Sequence, residues 1–177
     1  MPTATDEMQD ALALEISLIQ GCGLEAERCV AVAGSLDGLR LVVPEANHPD
    51  MFATITETHR CARFLEGLAQ ESAIYQDRVP IVLDHLNVLL PSLSKSLRDI
   101  TSYWGNRSKS PVERWRCIYH NLKREAGMSL PARFILYRTY LYMLRMLLIN
   151  SPDFDLNRLE RDRARIMVLR DASGIRE

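Results

Sequence analysis

A chain of 177 residues has the length of one domain, and a domain of this size buries roughly 70% of the surface its unfolded form exposes. With 47% hydrophobic and 25% charged residues, its composition excludes both a disordered chain and a membrane-embedded one. The net charge of −1 hides an uneven distribution: Met1 to Leu90 carries 14 acidic and 5 basic residues, a balance of −9, whereas Pro91 to Glu177 carries 9 acidic and 17 basic, a balance of +8. Either the two halves offset one another across solvated faces, or they expose a docking surface whose grip weakens with salt.

In chain order, the opening MPTATDEMQDALALEISLIQ is interrupted by Asp6, Glu7, Asp10 and Glu15 and lacks the positive start and unbroken apolar run of a secretory signal, so a cytoplasmic protein is expected. A weak helix is expected over Thr5 to Gln20, closed by Gly21 and Gly23. A second follows from Leu24 to Val43, with Leu24, Val32, Leu36, Leu39 and Val43 inward, weakened by Gly34 and Gly38 and ended by Pro44. Ala46 to Met51 reads as a loop. The helix after it, Met51 to Gln70, turns Ile55, Thr58, Ala62, Leu65 and Leu68 inward.

Asp77 and Pro80 open the next helical stretch, where Pro91 must either kink one long helix or separate two near Leu90. After the polar loop GNRSKS, Ser110, Pro111 and Glu113 form a helix start, and Gly127 a stop. Ser129 and Pro131 open a helix reaching Asn150 and rich in Phe134, Leu136, Tyr137, Leu141, Leu144 and Leu148. Its apolar run, Phe134 to Ile149, is too short for a bilayer and contains Arg138 and Arg145, seven apart on a stripe expected to stay in water. The last helix starts at Asp155, with Leu159, Ile166 and Leu169 inward and Arg158, Arg161, Arg163 and Arg165 outward, and closes at Gly174. Strand signals are confined to LRLVV at 39–43. The expected fold is therefore all-α, an antiparallel bundle of about six or seven helices. It forms one domain over 1–177, with a weakly packed helix over 1–23 and a core bundle over 24–174.

Recognisable chemistry is sparse. Cys22, Cys29, Cys61 and Cys117 form no CxxC pair and read as buried, reduced thiols. His48, His59, His85 and His120 have no nucleophile and carboxylate at telling spacing, and His59 and Cys61, two apart on a helix, point away from each other. No phosphate loop or dinucleotide fingerprint occurs. Glu57, Glu66, Asp77 and Asp84 lack the Glu-x-x-His repetition of a di-iron bundle and read as solvated. No catalytic residue, metal site or cofactor is assigned. In Arg107 to Glu125, basic residues alternate with aromatics in a manner that suits nucleic acid. Trp115, Ile118, Tyr119 and Leu122 nevertheless fall on one helical stripe, which favours core packing with Arg114 and Arg116 on wet flanks, and a pI near 6.4 argues against a nucleic-acid partner.

The stretches LPSLSKSLRDITSYW, ERWRCIYHNLKREAG, LPARFILYRTYLYMLRMLL and SPDFDLNRLERDRARIMVLRDASGI resemble a helical region of uncharacterised filamentous-fungal proteins, and the resemblance extends back to about Leu36. Some such regions look like the N-terminal helical domains of fungal signalling and incompatibility proteins, the HeLo-like class. The apolar, glycine-rich opening of that class is replaced here by an acidic one, which argues against membrane permeabilisation. The resemblance implies a helical, non-secreted module and supplies no activity.

The expected function is a non-catalytic protein-interaction or scaffold module, self-association included. Its candidate surface comprises Arg158, Arg161, Arg163, Arg165, Arg114 and Arg116. The alternative is a module whose first or last helix lies on anionic lipid, and the third reading is an enzyme of unfamiliar geometry.

Overall fold

The computed structural model describes residues 3–174, so the expected domain limits, 1–177, extend beyond the described residues at both ends. Among these residues there are six α-helices and no strand: α1 (Ala4–Arg40), α2 (His48–Ile74), α3 (Val79–Gly105), α4 (Pro111–Ala126), α5 (Leu130–Leu148) and α6 (Leu156–Ala172). One-turn 3-10 helices at Glu45–Asn47 and Gln76–Arg78 lead into α2 and α3. The all-α bundle expected from periodicity is what forms, and all six helices contribute to one buried cluster.

The first two expected helices are one. α1 runs through Gly21 and Gly23 without interruption, because its inner face repeats at Cys22, Ala26, Cys29, Ala33 and Leu36 and is buried continuously. That alternation of four and three is the spacing of a coiled-coil seam, and α2 answers it with Met51, Ile55, Thr58, Ala62, Leu65, Leu68 and Ser72. Gly21 serves a crossing instead of a break: a Cβ there would lie 3.3 Å from Leu90 Cδ1 of α3. Leu24, expected inward, is exposed. α2 begins three residues earlier than expected, with Pro49 in its first turn, where a missing N–H costs nothing.

Pro91 neither separates two helices nor ends one; α3 is continuous across it. An interior proline costs about 3 kcal/mol, but Val88, Leu89, Leu90, Leu93 and Leu97 around it are all buried, and burying each large aliphatic side chain contributes about 1.5–3 kcal/mol. α4 starts on the expected capping box, Ser110 with Glu113, and ends on Gly127 at φ 64°. α5 and α6 start on Ser129 and Asp155 as expected. Arg78 ties the start of α3 to the end of α5, donating to the carbonyls of Leu147 at 2.8 Å and Leu148 at 2.9 Å in the last turn, where helix carbonyls need partners from outside the helix.

Candidate interaction surface

α6 presents two different basic faces, because Leu159, Asp162, Ile166 and Leu169 form its buried stripe and divide the arginines between its flanks. On one flank Arg158, Arg161 and Arg165 line a groove of about 590 Å³ against Ala132, Ile135, Leu136 and Thr139 of α5. Asp162 at its base accepts a hydrogen bond from Thr139 Oγ1 at 3.1 Å and lies 4.0 Å from Arg165. Among the described residues Arg158 and Arg161 have no ion-pair partner, and Ile135 is an exposed apolar side chain on the same groove.

Arg163 lies on the other flank and is not outward as expected. It is half-buried, paired with Asp84 of α3 at 2.8 Å and 3.1 Å from His85 Nδ1. The same Nδ1 is 2.7 Å from the Tyr140 hydroxyl. Two donors on one ring nitrogen require it to accept, so the neutral tautomer with its proton on Nε2 fits. Burial, with the Arg163 charge beside it, holds the His85 pKa below its usual value, and burial pushes the Tyr140 hydroxyl up to about 12. This cluster pins α6 to α3.

Arg114 and Arg116 join neither face. Arg114 Nε donates to the carbonyls of Asn106 and Lys109, both at 3.1 Å, and so clamps the loop before α4. Arg116 borders a separate recess with Asp50, Tyr119 and His120. The expected core stripe of α4 is confirmed: Trp115, Ile118 and Leu122 are buried and Tyr119 half-buried.

A second surface belongs to α1. The two antiparallel partners α1 and α2 have 37 and 27 residues, so about ten residues of α1, ~15 Å of helix, overhang the end of α2. From Thr3 to Ser17 every residue is exposed except half-buried Glu15, and Leu18 is the first buried one. Met8, Leu12 and Ile16 recur at steps of four along this arm and are exposed. The arm carries Asp6, Glu7, Asp10 and Glu15, and residues 3–20 contain no lysine or arginine.

Other expectations are revised. Glu57 is buried, held by Arg60 at 2.8 Å and by Arg138, and is no solvated carboxylate. Arg138 and Arg145 do not face water alone; they reach across to Glu57 and Glu71 of α2. Cys22, Cys29 and Cys61 are buried and Cys117 is half-buried; all four are free thiols. Burial raises the pKa of Cys22 and Cys29 to about 12, which leaves those thiols unreactive. No three His, Cys, Asp or Glu side chains gather as metal ligands among the described residues, and no helix among them is long and apolar enough to cross a membrane.

These features define an all-α bundle with an acidic helical arm and a basic groove. No protein-family model matches the chain, and neither a curated protein nor a solved structure shows significant similarity to it.

Proposed function

We propose that this protein is a cytoplasmic, self-associating helical scaffold module, in which the acidic α1 arm of one copy docks in the basic α5/α6 groove of another. The observation that carries the reading is the overhang of α1: an exposed helix bearing Asp6, Glu7 and Asp10 and no basic residue, with half-buried Glu15 just beyond it. Arg158, Arg161 and Arg165 extend along α6 for about 10 Å, and the arm's Glu7, Asp10 and Glu15 extend over a comparable length. Met8, exposed on the overhang, supplies an apolar contact to set against Ile135, whereas Leu12 and Ile16 border a groove beside Ala69 and Ala73 of α2 and Gln76 just after it. A helix continuous through Gly21 and Gly23 gives the overhang no break at which to fold back, which supports a second copy as the occupant of the groove. The resemblance to helical regions of fungal proteins supports a role as the N-terminal part of a signalling protein.

Light scattering at low and high ionic strength tests the proposal. Association is expected at low salt and should weaken as the Debye length shrinks below about 10 Å. Arg161→Glu with Arg165→Glu should abolish it, and mixing that variant with Asp6→Lys plus Asp10→Lys should restore heterotypic association. A protein monomeric at every ionic strength would exclude the reading. Capture by anionic vesicles, lost in the Arg161→Glu, Arg165→Glu variant, would reassign the groove to a lipid surface.

A further inference from the structure

A third charged feature, separate from the arm and the groove, lies where α2 crosses α5. Arg60, Arg63 and Phe64 from α2 and Arg138 and Arg145 from α5 enclose a recess of about 370 Å³. We infer that this recess is a binding site for a soluble phosphate monoester, a dianion attached to an apolar body.

Charge comes first. Four guanidinium groups share two carboxylates: Glu57 bonds both Arg60 and Arg138, and Glu71 grips Arg145 through Nε at 2.8 and 3.0 Å and through Nη2 at 2.7 Å. Tying α2 to α5 needs one arginine for each carboxylate, and the recess has two more. Arg63 has no ion-pair partner among the described residues. The excess of two positive charges matches a phosphate monoester, which carries about −1.5 to −2 at pH 7.

Geometry comes second. The bonds from Glu57 and Glu71 hold Arg138 and Arg145 in place before a ligand arrives, so less side-chain freedom is lost on binding. Glu57 engages Arg138 through Nε alone, which leaves both terminal nitrogens for the forked contacts that guanidinium makes with phosphate oxygens. Phe64 adds an apolar wall, held edge-on by Tyr142 with ring centroids 5.8 Å apart. The volume falls in the range of about 300–1,000 Å³ typical of small-molecule sites, more than a bare phosphate fills, which is the reason for an ester with an organic body.

The test is calorimetric titration of the full chain with adenosine 5′-monophosphate, inorganic phosphate or adenosine at constant ionic strength. Saturable binding is expected for the monophosphate, weaker binding for inorganic phosphate and none for adenosine. Arg63→Gln, whose fold should be intact because Arg63 makes no ion pair, is expected to weaken the monophosphate about tenfold, the loss of one charged hydrogen-bonding partner. Lowering the pH from about 7.5 to about 5.5 should weaken it further, because the monoester takes up its second proton near pH 6. Heats no larger than those of matched chloride, or an Arg63→Gln variant that binds like the parent, would overturn the assignment. Binding confined to vesicles containing phosphatidic acid would overturn the soluble ligand.

Discussion

Glu25 faces inward on α1, only 6% exposed. One carboxylate oxygen accepts a hydrogen bond from Arg28 Nη1 at 2.7 Å, and the other has no partner among the described residues. Burial raises its pKa above the usual carboxylate value, against the opposing pull of Arg28. The folded state therefore holds the Glu25 proton more tightly than the unfolded chain does. Its stabilising effect is complete below the unfolded pKa and is lost as pH rises through the folded one. Replacing the charge by Glu25→Gln should thus stabilise the protein at pH 7 by about 1 kcal/mol, with the gain shrinking as pH falls toward 4. Thermal unfolding across that pH range checks the sign; a loss at pH 7, or a gain independent of pH, contradicts it. The same scale shows what periodicity hides. Arg133 lies on the inward stripe with Leu130, Phe134 and Tyr137, so its position was legible, yet its partners were not. Its guanidinium is buried against Ser96 Oγ at 3.1 Å and the Leu122 carbonyl, contacts made across three helices that no local pattern encodes. Thr54, Thr58 and Ser72 satisfy their buried hydroxyls on carbonyls one turn back, which leaves them without a separate chemical role.

Helix starts were more legible than helix interruptions. Ser110, Ser129 and Asp155 cap the helices expected from them, because capping is decided by a few consecutive residues. Gly21 and Gly23 misled, because a local cost is overruled by packing on distant elements that a window of sequence does not contain, and Pro91 left one long helix or two open until that packing decided for one. The glycines of α1 make this measurable. A Cβ on Gly34 meets nothing within 4 Å, whereas one on Gly21 meets Leu90. Gly34→Ala should therefore stabilise the protein by about 0.5–1 kcal/mol, the ordinary gain at an exposed helical position. Gly21→Ala should gain less or lose, since the α1/α3 crossing must open or Leu90 must move. Equal gains in chemical denaturation would show that the crossing tolerates a methyl group and that Gly21 has no spacing role.

For the whole molecule, the charge polarity of the sequence is partly consumed by folding and partly left over. Asp84 meets Arg163, and Glu57 and Glu71 meet Arg138 and Arg145, each pair joining the acidic half to the basic one. Part of what is left over lies at the arm and the groove, and the arm's share is a placement the sequence could not supply because it depends on α1 outreaching α2. Arm exchange between two copies closes as a twofold dimer if both arms engage at once, and otherwise propagates from copy to copy. Either way, the arm should serve assembly and not the fold. Among the described residues none before Leu18 is buried, so deleting residues 1–11 should remove little apolar contact with the core, and the change in unfolding free energy should stay within about 0.5 kcal/mol. The same deletion should abolish salt-sensitive association, because it removes three of the arm's four carboxylates and Met8. Calorimetry and sedimentation on one preparation separate the outcomes: a markedly destabilised monomer would make the arm part of the fold, and an assembly that survives the deletion would exclude the arm as the docking element.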